Sequence, residues 1–392
     1  MASIDAQSAA GTAARGLAAL ERHPHARAML GPVLRSGRPA HAYLFHGPAG
    51  AGKRGAARAL AAHMLAEGAP QDAEVLGRVE RGTHPDLTWV RPSGASEMLA
   101  GDIDEAVVGA AGRTPFEAGR RVFVIDGAER MNEQAANRLL KTLEEPPPYA
   151  HLILVADARE GVMATIASRC QEVRFEALPV ELIAEGLARD GVPPEEARAC
   201  ACLALGDRGL AGRLATEPGR ALRADCERLL DAVARGELEG APWTALLEGS
   251  REAGRGARAE VKSRVAGELE LLPAKERRRH VREGEESERR AERRAGAAQL
   301  DLALRLAELA LRDALCLAEG AAAVVYATDR RRWLEALVAG LRAELGSEGA
   351  RRRLRLAVEL VAETRRRMPL NVSAELALET LSYRLGALLR GA

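Results

Sequence analysis

Aromatic side chains are scarce. Only 3% of the 392 residues are Phe, Trp or Tyr, although 47% are hydrophobic. A core with few large rings is built from Ala, Leu and Val, which suits helices packed through small and aliphatic contacts. Lysine is almost missing, at 53, 141, 262 and 275 alone, and arginine carries the remaining basic charge. A bias of that kind is compositional, so arginine abundance by itself says nothing of nucleic acid. Neither sign of charge is in excess. The 57 basic and 56 acidic residues leave a formal charge of +1, which excludes a global electrostatic footprint for a polyanion and leaves a local basic surface open. The five cysteines (170, 200, 202, 226 and 316) have no metal-ligand spacing: Cys200-Ala-Cys202 is one residue short of a CxxC, and no His pair follows it. Free thiols in a reduced cytosol are the expectation. No run of about 18 apolar residues occurs, and no charged-then-apolar leader opens the chain. A soluble cytoplasmic protein without a membrane segment is therefore expected.

What is present is a phosphate loop with an altered last letter. Residues 47–54 read Gly-Pro-Ala-Gly-Ala-Gly-Lys-Arg. In the P-loop pattern the glycines let backbone N–H groups curl around phosphates, the lysine neutralises them, and a Ser or Thr hydroxyl holds magnesium. Gly47, Pro48, Gly50, Gly52 and Lys53 fit this nucleotide-binding pattern. Arg54 stands at the hydroxyl position and offers only donors, so it cannot ligate a cation. Either this is a nucleotide site without its metal, or a nucleotide fold whose chemistry lies elsewhere.

The surrounding pattern supports the loop. His23–Arg35 reads as helix, Ala42–His46 as a strand, and Arg54–Ala66 as alanine-rich helix, which is the strand–loop–helix context the motif requires. Residues 68–100 read as less regular, with a strand at Leu87–Val90. Then follow a helix at Ile103–Ala111, a buried strand Arg121–Ile125 ending at Asp126, a helix Glu133–Leu143, a strand His151–Val155 and a short strand Val173–Phe175. Apolar runs alternating with helices indicate a parallel α/β sheet, which binds ligands at the carboxyl ends of its strands. After Pro179 the strands cease. Residues 180–217 read as short helices, and from about 219 the chain is entirely helical. The first twenty residues are Ala/Gly-rich and expected to fray. The mixed Arg/Glu segment 275–294 reads as a solvated, salt-bridged helix or loop rather than a nucleic-acid contact, because its signs are interspersed.

Asp126 occupies the strand-tip position that holds magnesium beside a P-loop. The glutamate that orients the attacking water in hydrolysing members of this class is replaced by Gly127, and Glu129 falls on the following turn. No metal is expected at the site.

Four further motifs carry a resemblance: Gly82-Thr-His-Pro-Asp86, the string Asn137–Pro147 (Asn-Arg-Leu-Leu-Lys-Thr-Leu-Glu-Glu-Pro-Pro), Ser168-Arg169-Cys170, and the terminal Asn371–Glu379. Together they cover nearly the whole chain, which resembles the AAA+ subunits of the bacterial DNA polymerase III clamp loader, most closely their delta-prime family. The resemblance implies an α/β AAA+ module over 1–178, a small helical lid over 179–218 and an all-α collar for oligomerisation over 219–392. It implies membership of a hetero-pentameric ring with gamma/tau-like and delta-like subunits, which opens a sliding clamp and places it on primed DNA at a nucleoid-associated replisome. The chain would then be part of the DNA polymerase III (DNA-directed DNA polymerase) assembly. In that family the Ser-Arg-Cys arginine points at ATP held by the neighbouring subunit, which makes Arg169, with Ser168, the catalytic candidate in trans.

Departures from the hydrolysing gamma/tau pattern are Lys-Arg at 53–54, Asp-Gly at 126–127, and Ala156 where a polar sensor residue follows the strand. The four cysteines of a zinc module are missing from 67–81, so no zinc is expected. Within the loose motif Gly206-Asp-Arg-Gly209 no sensor arginine among Arg208 and Arg213 is assigned. The expected function is a largely non-hydrolysing ring component that lends Arg169 to an adjacent ATPase, needs no cofactor, and leaves residual ATP or ADP binding open. A gamma/tau-like ATPase assisted by Glu129 and a nucleotide-independent scaffold are the rivals; a repair or recombination ATPase fits the ending less well. Arg138 and Lys141 are candidates for DNA contact on a helix that Leu139, Leu140 and Leu143 equally mark as core.

Overall fold

The computed structural model describes residues 20, 23–66, 73–92, 97–271, 274–368 and 373–390. The fraying expected before residue 20 and Asn371-Val372 of the terminal motif lie outside them. The chain divides into two compact units, one of residues 1–179 with 206–208, the other of 180–205 with 209–392.

The first unit is the parallel α/β module. Its elements are α1 (Pro24–Ser36), β1 (Ala42–His46), α2 (Lys53–Leu65), α3 (Ala73–Arg81), β2 (Leu87–Val90), β3 (Arg121–Asp126), α4 (Glu133–Glu144), β4 (Ala150–Ala156), α5 (Ala164–Ala167) and β5 (Gln171–Arg174). All strand pairs are parallel, in the order β2-β3-β4-β1-β5. The inner strands β1, β3 and β4 are largely apolar because both faces are covered, whereas the edge strand β5 buries only Val173. Tyr43, Phe45, Val122, Val124 and Ile153 pack on one side with Leu30, Leu60 and Met64. Leu44, Phe123, Ile125 and Leu154 pack on the other with Ile103, Leu139 and Leu143. The fold class expected from the sequence is therefore the one observed. Helix α3 is an addition, within a stretch that reads as irregular. Its Leu76 and Val79 are buried, but Gly77 and the polar flanks dilute a pattern only nine residues long. The stretch before β3 is also not plain helix, since Asp104–Val108 winds as a π-helix.

The Gly-Thr-His-Pro-Asp motif proves to be a brace. Asp86 is fully buried, and its carboxylate accepts the backbone N–H groups of Phe116, Glu117 and Ala118 at 2.6, 2.9 and 2.9 Å. Burial works against the charged form, but these three donors outweigh it and hold the carboxyl below its ordinary value. They fix the loop that leads into β3.

The second unit is helical throughout. It includes Val180–Arg189, Pro194–Leu203, α6 (Glu217–Arg235), α7 (Thr244–Leu271), α8 (Ala274–Ala318), α9 (Arg331–Arg367) and α10 (Ala374–Arg390). Arg223 on α6 is 4% exposed and pairs with Asp329 at 2.6 and 2.7 Å, with Cys200 Sγ at 3.6 Å. That one guanidinium joins Pro194–Leu203, α6 and the turn before α9. The Arg/Glu segment forms the start of α8, paired to α7 through Arg258 with Glu288 and Glu292 at 3.3 and 3.1 Å. The two helices approach closely where a Cβ on Gly254 would meet the Glu292 carbonyl oxygen at 2.9 Å. Among the described residues no helix is long and apolar enough to cross a membrane.

Two substitutions test this account. Asp86→Asn should cost about 1–3 kcal/mol at neutral pH. Because the folded carboxyl sits below its unfolded value, this stabilisation is present above about pH 4 and is lost as pH falls through the folded pKa. Urea titrations at pH 7 and pH 3 should therefore show a gap between wild type and variant that narrows on acidification. Arg223→Ala leaves Asp329 without its counter-charge and should cost about 3–5 kcal/mol, read in the same way at pH 7.

Candidate functional site

Strand β1 delivers the phosphate loop. Gly47, Gly50 and Gly52 have φ of 141°, 72° and 87°, and Gly52 caps α2, whose first residues are Lys53 and Arg54. Lys53 is turned inward. Its side chain is 4% exposed, and its ammonium donates to the carbonyls of Gly47 and Pro48 at 2.5 and 2.6 Å and pairs with Asp157 Oδ1 at 3.0 Å.

Arg54 meets Asp126. Its Nε–H is shared between the two carboxylate oxygens at 2.9 and 2.8 Å, with Asp126 6% exposed and Arg54 69%. Arg91 Nε stands 3.6 Å from the same carboxylate. Desolvation opposes the charge on Arg54, but Asp126, then Asp157 and Glu129, outweigh it and raise its pKa. The guanidinium thus gives Asp126 the counter-charge that, in the ordinary P-loop pattern, comes from a cation bridging hydroxyl and carboxylate. The sequence brings these two residues together only as separate departures; the fold makes them partners.

Asp157 is absent from the sequence analysis, and its position corrects one reading there. Strand β4 does not end at Val155 but runs to Ala156, so the residue that follows it is polar. Since β4 lies between β1 and β3, the first residue past its tip falls between the phosphate loop and Asp126. Strand order was the signal that would have found it.

Glu129 does reach this end of the sheet. Its Oε2 accepts the Asp157 backbone N–H at 3.3 Å, and its other oxygen lies 3.6 Å from Arg130 Nε. Gly127 stands where a hydrolytic glutamate is placed in the ordinary pattern. Its φ of 88° turns the chain out of β3 in a conformation that costs an L-residue about 1–2 kcal/mol. A fourth acid completes the surroundings: a Cβ on Gly50 would collide with the Asp207 side chain, so the loop approaches that carboxylate as only glycine permits. In the motif Gly206–Gly209 it is therefore Asp207 that stands at the loop. Among the described residues no group of acids, histidines and cysteines is arranged to hold a metal ion.

The Ser-Arg-Cys element follows the short helix α5. Arg169 is 37% exposed; its Nη1 donates to the Thr165 carbonyl at 2.9 Å and its Nη2 to Glu144 Oε1 at 2.6 Å. Ser168 Oγ donates to the same Thr165 carbonyl at 3.2 Å. Cys170 packs inward, where burial, with the nearby Glu172 carboxylate, pushes its thiol up to about 12, so it is no nucleophile. Glu144 ends α4, so an ion pair joins the Asn137–Pro147 string to the Ser-Arg-Cys element, and Cys170 packs against the apolar cluster of Leu139 and Leu143. Within α4, Leu139 and Leu143 are buried while Arg138 is exposed.

Residues 22–179 match the family model described as DNA polymerase III, delta subunit. Subunit delta' of DNA polymerase III from Bacillus subtilis is 35% identical over 182 residues, which cover 45% of this chain and 55% of that protein. The same subunit from Pseudomonas aeruginosa is 38% identical over 165 residues, 41% and 50% of the two chains. Over these residues the chain is similar to the delta-prime subunits of DNA polymerase III. The gamma/tau subunit of Mycobacterium tuberculosis is 32% identical over 175 residues, 42% of this chain and 29% of its own. Among solved structures, a DNA polymerase III gamma subunit-related protein from Thermotoga maritima aligns over 91% of this chain and 99% of its own, at 17% identity and a TM-score of 0.41. The chain spans about half the length of the delta-prime relatives it matches. The segment in common with the delta-prime family contains the phosphate loop, Asp126 and Ser168-Arg169-Cys170.

Removing the guanidinium while leaving its carboxylate tests the pairing of Arg54 with Asp126. Arg54→Ala should destabilise the protein by about 1–3 kcal/mol, and adding Asp126→Asn should recover most of that loss. A double-mutant cycle by urea denaturation measures the coupling.

Proposed function

We propose that the chain is a delta-prime-like subunit of the DNA polymerase III clamp loader, a ring component that does not turn over ATP itself and supplies Arg169 in trans to an adjacent ATPase. One observation carries this reading: Arg169 of the Ser-Arg-Cys element stands at the surface, oriented by Thr165 and Glu144 with N–H donors left over, while the Asp126 carboxylate beside the phosphate loop is already met by Arg54. A fixed guanidinium stabilises charge developing on the transferred phosphoryl oxygens, and such fingers are worth about 10³–10⁵ in rate. Its neighbours are gamma/tau-like and delta-like subunits in a hetero-pentameric ring, which delivers a sliding clamp to primed DNA in the cytoplasm at the nucleoid. In this reading the lid spans 179–218 and the collar 219–392, the lid drawing Pro179 and Gly206–Arg208 from the first unit and the rest from the second. The site needs no cofactor and no zinc. Residual ATP or ADP binding at the loop, without a firm magnesium site, is compatible with this reading.

A second reading, a gamma/tau-like ATPase, draws on Glu129, whose side chain reaches the tip of β4 beside the loop. Two assays separate the readings. The purified chain alone should not hydrolyse ATP; steady turnover abolished by Lys53→Ala would establish the ATPase instead. In a reconstituted clamp loader, Arg169→Ala should lower DNA-stimulated ATP turnover at the neighbouring site by at least about 10³-fold, and an undiminished rate would leave the chain a scaffold.

A further inference from the structure

Arg169 is linked in two directions. One link is local, from Nη1 to the carbonyl of Thr165, four residues back in its own turn. The other is distant in sequence, from Nη2 to Glu144 Oε1, 25 residues earlier, at 2.6 Å. Glu144 is the last residue of α4, just before Glu145 and the prolines that stop the helix. A helix C-terminus presents unsatisfied carbonyls and disfavours an acid there. The acid is present nonetheless, and its partner is the Arg169 guanidinium.

An arginine side chain has several freely turning bonds, and the Thr165 contact anchors only one nitrogen. The carboxylate of Glu144 takes the other terminal nitrogen and so sets the plane of the guanidinium. Its base is firm, because Leu139 and Leu143 bury α4 in the core. The pair itself is exposed, Glu144 by 50% and Arg169 by 37%, so the fold does not depend on it. We propose that Glu144 is the positioning residue for Arg169, fixing the direction in which the guanidinium meets an anionic phosphoryl group on a neighbouring subunit. This rests on the reading of Arg169 as a trans-acting finger. It adds that the Asn137–Pro147 string serves the same chemistry as Ser168-Arg169-Cys170 by supplying the carboxylate that holds it. A group misplaced by about 1 Å loses on the order of 10²-fold in rate, and a finger tethered at one nitrogen is intermediate between held and lost.

The test uses the chain reconstituted with a gamma/tau-type ATPase and a delta-type subunit, assayed with clamp and primed DNA. Glu144→Ala should lower kcat by about tenfold with the KM for ATP and the melting temperature unchanged. Glu144→Gln, which still accepts a hydrogen bond, should lose less. Combining Glu144→Ala with Arg169→Ala should be no slower than Arg169→Ala alone. On the chain by itself, the Arg169 Nε–H order parameter from NMR should fall in Glu144→Ala. A wild-type or faster rate in Glu144→Ala beside an impaired Arg169→Ala overturns the positioning role alone, as does an unchanged order parameter. A wild-type rate in Arg169→Ala overturns the finger reading, and this proposal with it.

Discussion

A carboxylate at the end of a strand buried on both faces needs a counter-charge, and the site depends on how Asp126 obtains one. Arg54, one residue into the helix after the phosphate loop, reaches across β4 to supply it. Once that pair is formed, the tip of β4 lies between the loop and β3, and Asp157 meets Lys53 there. Glu129 follows, tied to the Asp157 backbone. Each cation of the loop is thereby matched within the same chain, and the strand–loop–helix element is tied to the sheet ends by charge.

The same economy recurs away from the loop. Asp86 collects three backbone donors and fixes the entry to β3; Arg223 collects Asp329 and joins three helical segments. Unpaired, each of these buried groups would be a liability; partnered, each joins segments far apart in sequence. Arg169 differs in kind. Its pair with Glu144 is solvent-exposed and contributes little to stability, about 0–1 kcal/mol for such pairs. An interaction that weak in the fold gains importance only through what it aligns.

The α/β module was legible because its signals are local: apolar runs, turn residues, and a glycine-rich loop between strand and helix. The change to an all-helical remainder was legible for the same reason. Within the site, the chain order displays Lys53, Arg54, Asp126 and Arg169, which lie in recognisable strings. Nothing in its own neighbourhood marks Asp157, whereas Asp207 and Glu144 lie inside recognisable strings, Gly206–Gly209 and Asn137–Pro147, that do not reveal what these two acids meet. Asp157 matters through strand order, Asp207 through a segment that returns to the loop from beyond the last strand, and Glu144 through a partner 25 residues away. Helix α3 was missed on weaker grounds, a short amphipathic pattern interrupted by Gly77.

Gly127 has one more consequence. With φ at 88°, a glutamate placed there by a single substitution would meet backbone strain before it could orient anything. A threonine at position 54 would remove the close partner of the Asp126 carboxylate and leave Arg91, at 3.6 Å, beside it. Each of these single substitutions lowers stability on its own, so the residues at 54 and 127 are tied to the fold as well as to the loop.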